Sequence, residues 1–100
     1  MRGGHGPFPD FRPWRVRGRV TYRGRPVPAA RVEYRLSRQA DFMIFTAHTD
    51  RDGNFDIAVL SGPGIDCVRV EHTARGLWQT RCVHTTSAIT DGVEIALEPR

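Results

Sequence analysis

Two stretches decide the fold: Val16–Arg35, VRGRVTYRGRPVPAARVEYR, and Thr46–Phe55, TAHTDRDGNF. In the first, the side-chain period is two on both sides of a Gly-Arg-Pro turn. Trp14, Val16, Gly18, Val20 and Tyr22 fall on one face, and Arg15, Arg17, Arg19 and Thr21 on the other. After Arg23-Gly24-Arg25-Pro26 the pattern returns, with Ala30, Val32, Tyr34 and Leu36 inward and Arg31, Glu33 and Arg35 outward. The second stretch reads as an acidic hairpin corner, where Gly53 is free to take positive φ.

Working outward, strand three spans Phe42 to Thr49, and Phe55, Ile57 and Val59 alternate with Asp56 and Ala58 in strand four. Ser61-Gly62-Pro63-Gly64 breaks the chain. Ile65–Glu71, Leu77–Thr85 and Val93–Glu98 complete the set, with Val93, Ile95 and Leu97 inward. Seven short strands with turn signals about every ten residues, and no helical period, predict an all-β fold. The expected form is a seven-stranded antiparallel Greek-key β-sandwich over residues 14–100. Residues 1–13, rich in Gly and Pro yet carrying Phe8 and Phe11, read as an extended docking arm with Trp14 at its root.

The 100 residues support one domain with a modest core, and 39% hydrophobic content excludes disorder by composition. No apolar run is long enough to span a bilayer, so no membrane insertion is expected. The first residues lack an apolar signal region. Cytoplasmic synthesis without a signal peptide is therefore expected, with a place in a virion or another released or surface assembly.

All fifteen basic side chains are arginine, a bias that a GC-rich coding sequence explains. Their distribution is more telling. Residues 1–38 hold ten Arg against Asp10 and Glu33, a net of +8; residues 39–100 hold five Arg against nine acids, a net of −4. Arg15, Arg17 and Arg19 line one face, which Arg31 and Arg35 are expected to continue, and Arg12, Arg23 and Arg25 extend it at the ends. Like charges so aligned repel unless carboxylates or phosphates approach, and guanidinium forks suit both. Nucleic-acid binders interleave stacking aromatics on the charged face, whereas Trp14 and Tyr22 fall on the opposite one. An acidic protein surface is the favoured partner, ahead of nucleic acid.

Cys67 and Cys82 are symmetric about a point between Ala74 and Arg75, so a bulge-free hairpin turning there sets them face to face and permits a disulfide. In a reducing cytoplasm they would stay free thiols. His72 and His84 are the histidines expected to approach across that hairpin, but two imidazoles define no metal site. Asp50–Asp56 superficially resembles a calcium loop, yet it is short and has Arg51 in its middle; a tight turn explains it better. No Ser-His-Asp or Cys-His grouping stands out, so no enzyme, cofactor or metal is expected.

The motif set Val16-x-Gly18-x-Val20, Gly24-x-Pro26-x-Pro28-x-Ala30-x-Val32 and Thr49-Asp50-x-x-Gly53-x-Phe55 resembles the carboxypeptidase regulatory-like domains, among the transthyretin-like (prealbumin-like) sandwiches. Cys67–Val70 with Arg75-Gly76-Leu77 looks like that family's strand and Gly-aromatic corner, with Leu77 where an aromatic is usual. The resemblance spans roughly residues 15–98 and implies an accessory, adhesive or structural module. It does not extend to hydroxyisourate hydrolases, because the chain ends Leu97-Glu98-Pro99-Arg100 rather than Tyr-Arg-Gly-Ser. Intradiol dioxygenases share a Gly-x-Pro-x-x-Ala stretch, but Tyr22 and Tyr34 are the only tyrosines here and no matching Tyr/His iron-ligand set accompanies them.

The expected role is a non-catalytic small subunit of a larger assembly, docked on an acidic surface or neighbouring subunits through Phe8, Phe11, Trp14 and the arginines. A carbohydrate- or peptide-binding module using Phe42 or Trp78 is the alternative, and a nucleic-acid binder using the basic half is the third reading.

Overall fold

The computed structural model describes residues 12–35, 44–61 and 64–100. Among the described residues there are nine strands: β1 (Arg12–Tyr22), β2 (Arg25–Pro26), β3 (Arg31–Arg35), β4 (Ile44–His48), β5 (Asn54–Ser61), β6 (Gly64–His72), β7 (Leu77–Thr85), β8 (Ile89–Ala96) and β9 (Glu98–Pro99). A short 3-10 turn, Thr73–Arg75, is the one helical piece among the described residues, and none is long and apolar enough to cross a membrane. Phe8, Phe11, Leu36, Phe42 and most of the expected arm lie outside the described residues; β1 itself begins at Arg12, paired with Ser61.

Two sheets face each other. In one, β1 is the hub, with β5 and the short β2 antiparallel to it and β8 beside it; the other runs β4-β3-β6-β7-β9. Alternation explains the layers. Val16, Val20, Phe55, Ile57, Val59, Val93 and Ile95 point inward from the first sheet, onto Val32, Tyr34, Val68, Val70, Leu77 and Val83 of the second. Burying these side chains supplies the main driving force, on the order of 2 kcal/mol for each large one.

The structure departs from an all-antiparallel sandwich at β8, which runs parallel to β1. β8 arrives from β7 in the opposite sheet, so no hairpin dictates its direction. The register slips at the same place: Val16 pairs with Thr90 but Gly18 with Val93, and the extra residue bulges at Asp91–Gly92, where Gly92 has φ 70°.

The Thr49–Phe55 corner is also not a hairpin. It carries the chain from β4 in one sheet to β5 in the other. The Thr49 hydroxyl donates to the Val27 carbonyl at 2.7 Å and accepts from the Ala30 amide at 2.8 Å, welding the corner to the β2–β3 connection. Asp50 Oδ1 accepts from the Asp52 and Asn54 amides, both at 2.9 Å. Gly53, at φ 79°, passes under β1 and accepts from the Val20 amide at 2.8 Å. A Cβ there would lie 2.7 Å from the Val20 carbonyl oxygen, so glycine is required both for space and for backbone conformation.

Gly18 is required for space alone. An added Cβ would strike the Val93 carbonyl oxygen and come within 2.6 Å of the Phe55 ring. Gly18→Ala is expected to destabilise the domain by about 1–3 kcal/mol, read from urea unfolding, because the backbone oxygen cannot step aside like a rotamer.

Candidate interaction surface

Arg15, Arg17 and Arg19 project from the outer face of β1, the hub strand, as the alternation requires. Their neighbours convert the line of like charge into a mosaic. Arg17 sits opposite Asp56 on β5, and Arg19 opposite Glu94 on β8. Asp56 takes Arg15 Nη1 at 2.9 Å and Arg17 Nε at 3.3 Å; the second contact is an ion pair without hydrogen-bond alignment. The groups are 41–49% exposed, so these pairs set charge pattern more than stability. Beside them lies a cleft of about 400 Å³ over Gly18 and Phe55, rimmed by Arg17 and Arg19 and by Asp50, Asp56, Asp91 and Glu94.

Arg31 and Arg35 do not continue this face. β3 belongs to the opposite sheet, so the two arginines lie on the other side of the sandwich. They flank Glu33 at 3.0 and 3.2 Å, and Glu33 itself pairs in register with Arg69 of β6. Arg69 and Arg100 both hold Glu71 at 3.0 Å. On this second face four arginines share two carboxylates, an alternating lattice with a net of +2 among these groups.

Arg23 and Arg25 occupy the turn end of the sandwich, joined there by Arg75 of the 3-10 turn, a residue the sequence reading did not single out. The Arg23 and Arg75 guanidiniums lie 5.1 and 5.7 Å from the centre of the Tyr22 ring. Trp14 is partly buried against the core. Trp78, the candidate platform for a sugar or peptide, has Arg69 over its ring at 5.3 Å. The Arg12 side chain, Phe8, Phe11 and Phe42 lie outside the description.

The hairpin of β6 and β7 keeps strict register from Gly64↔Thr85 to His72↔Leu77, so Cys67 and Cys82 face each other and form a disulfide on the outer face. The same register separates His72 from His84: one stands at the corner, the other opposite Ile65 near the far end. Among the described residues no three His, Cys, Asp or Glu side chains are grouped to hold a metal. Asp50 Oδ1 instead accepts from two backbone amides of the turn.

The two tyrosines have structural surroundings. Tyr34 is fully buried and donates to Asp66 Oδ2 at 2.7 Å, and the Tyr22 ring is approached by two guanidiniums. Asp66, fully buried while Ile65 next to it is 57% exposed, is a second residue the sequence reading passed over.

Neither a protein-family model nor a curated relative matches the sequence. Among solved structures, the chain is similar to catechol 1,2-dioxygenase from Acinetobacter sp. ADP1 inhibited by bound mercury. The TM-score is 0.64 at 12% identity, over 92% of this chain and 54% of that one. It is also similar to a DUF3823 family protein from Parabacteroides merdae, with TM-score 0.61 and 15% identity over 90% of this chain and 48% of that one. The chain thus spans about half the length of each. At such identity the likeness is one of fold: an all-β sandwich.

Proposed function

We propose that this chain is a non-catalytic interaction module of the carboxypeptidase regulatory-like, transthyretin-like type, with Greek-key connections. Its role is that of a small accessory subunit in a larger assembly, such as a virion or a bacterial surface or filament complex. Its partner is an acidic protein surface, met by Arg15, Arg17 and Arg19 on β1, with the N-terminal segment carrying Phe8 and Phe11 as a further anchor.

The observation that carries this reading is the interleaving of charge. Asp56 is shared by two guanidiniums and Arg19 has no ion pair among the described residues, so these guanidiniums keep capacity for a partner's carboxylates. Yet Asp56, Asp91 and Glu94 stand within the same cleft rim. A phosphodiester chain, evenly negative along its length, meets those carboxylates wherever it crosses the face. A folded partner can instead set its own carboxylates against the arginines alone.

The test is a photo-crosslinking amino acid at position 58, exposed on β5 opposite Arg15, expressed in the cell that makes the chain. A discrete protein adduct is expected, reduced about tenfold when Arg15→Glu and Arg17→Glu reverse the face. Crosslinking to nucleic acid, or a protein adduct indifferent to charge reversal, defeats the proposal.

A further inference from the structure

We propose a second site, distinct from the β1 face: a receptor for a doubly charged oxyanion at the turn end, built from Tyr22, Arg23 and Arg75.

The first argument is the backbone of Arg23. The β1–β2 link has two residues between the paired Tyr22 and Arg25, and both take left-handed conformations, φ 53° at Arg23 and 78° at Gly24. Such turns favour Asn, Asp or Gly at the first position, since a Cβ there meets the backbone. Arginine is held in a conformation that disfavours it. An arginine in this conformation is an outlier that raises the question of what its side chain does.

That side chain lies over the Tyr22 ring at 5.1 Å, and Arg75 reaches the same ring at 5.7 Å from a different corner. Both roots are closed turns. Gly76, at φ 65°, caps the 3-10 turn by donating to the Thr73 carbonyl at 3.1 Å, and its own carbonyl accepts from the Arg100 amide at 2.9 Å. The ring quadrupole attracts each cation, but two guanidiniums beside one ring repel each other.

Among the described residues no carboxylate pairs with them. Arg15, Arg17, Arg31, Arg35, Arg69 and Arg100 each pair with an acid, whereas Arg23, Arg25 and Arg75, like Arg19, Arg51 and Arg81, have no ion pair among the described residues. Asp50, in the adjacent corner, accepts from two backbone amides through Oδ1 and forms no ion pair among the described residues. A dianion matches two ring-bound guanidiniums, with Arg25 adding field, while a single carboxylate neutralises one. Phosphate and sulfate esters share this chemistry.

The test follows the Arg23 and Arg75 Nε–Hε signals by NMR at constant ionic strength, above neutral pH. The probes are inorganic phosphate, sulfate and, as the monoanion control, acetate. Saturable shifts at both arginines are expected with phosphate or sulfate, about tenfold weaker with acetate and about tenfold weaker in Arg75→Gln. Response to phosphate alone, or to sulfate alone, assigns the ester. Arg23→Gly should raise the thermal midpoint in anion-free buffer and remove the rise that the anion produces in the parent chain. Linear, unsaturating shifts, an equal response to acetate, or an anion response intact in Arg23→Gly overturns the proposal.

Discussion

Reducing the Cys67–Cys82 bridge should lower the stability of this domain by about 3 kcal/mol, the loop-closure entropy of a bridge across a separation of 15 residues. In a chain of this size that is on the order of 10–20 °C in thermal midpoint. The bridge lies on the outer face of β6 and β7, where Cys82 is exposed and Cys67 half-buried. Reductant therefore reaches it without unfolding the protein. Replacing both residues removes little buried volume, so Cys67→Ala/Cys82→Ala should melt where the reduced parent melts. Calorimetry with and without reductant decides the matter. If reduction shifts the midpoint by no more than about 2 °C, the bridge does not restrain the unfolded chain as loop closure requires. If the double variant falls well below the reduced parent, packing rather than cross-linking accounts for the loss.

That these cysteines stand opposite each other was legible because it depends on register alone, and register in a bulge-free hairpin is counting; whether they bond was left open. The inward faces of β1, β3, β5 and β8 were legible for a similar reason: their apolar residues alternate cleanly. Sheet membership was not. Period two tells which residues share a side of a strand, but not which strands share a sheet, so Arg31 and Arg35 were joined to Arg15–Arg19 though the core lies between them. The same blindness made the Thr49–Phe55 corner look like a hairpin. Parallel pairing of β1 with β8 joins segments far apart in the chain, and no local turn residue announces it. Arg75 at the Tyr22 ring is likewise a meeting of two distant corners. Asp66 is different, because Val68 and Val70 fix the phase of β6 and so place Asp66 inward and leave Ile65 exposed.

That inward aspartate sets up the second large effect. Asp66→Ala should cost about 2–4 kcal/mol, because it removes the oxygen to which the buried Tyr34 hydroxyl donates and leaves a void in a close-packed layer. Tyr34→Phe keeps the ring and its packing and should cost about 1–2 kcal/mol, for the loss of one hydrogen bond to a carboxylate. The two residues stand on neighbouring strands, β3 and β6, two positions apart in the paired register, with Tyr34 opposite Val68. Asp66 also precedes Cys67, so one point of the hairpin is held from inside by the phenol and from outside by the disulfide. Since both substitutions break the same contact, their costs should not add; a double-mutant cycle in urea should return a coupling of about 1 kcal/mol or more. Additivity within about 0.3 kcal/mol would mean that the 2.7 Å contact contributes nothing that either residue does not supply separately, and the account of Asp66 as the internal tie of β3 to β6 would fall.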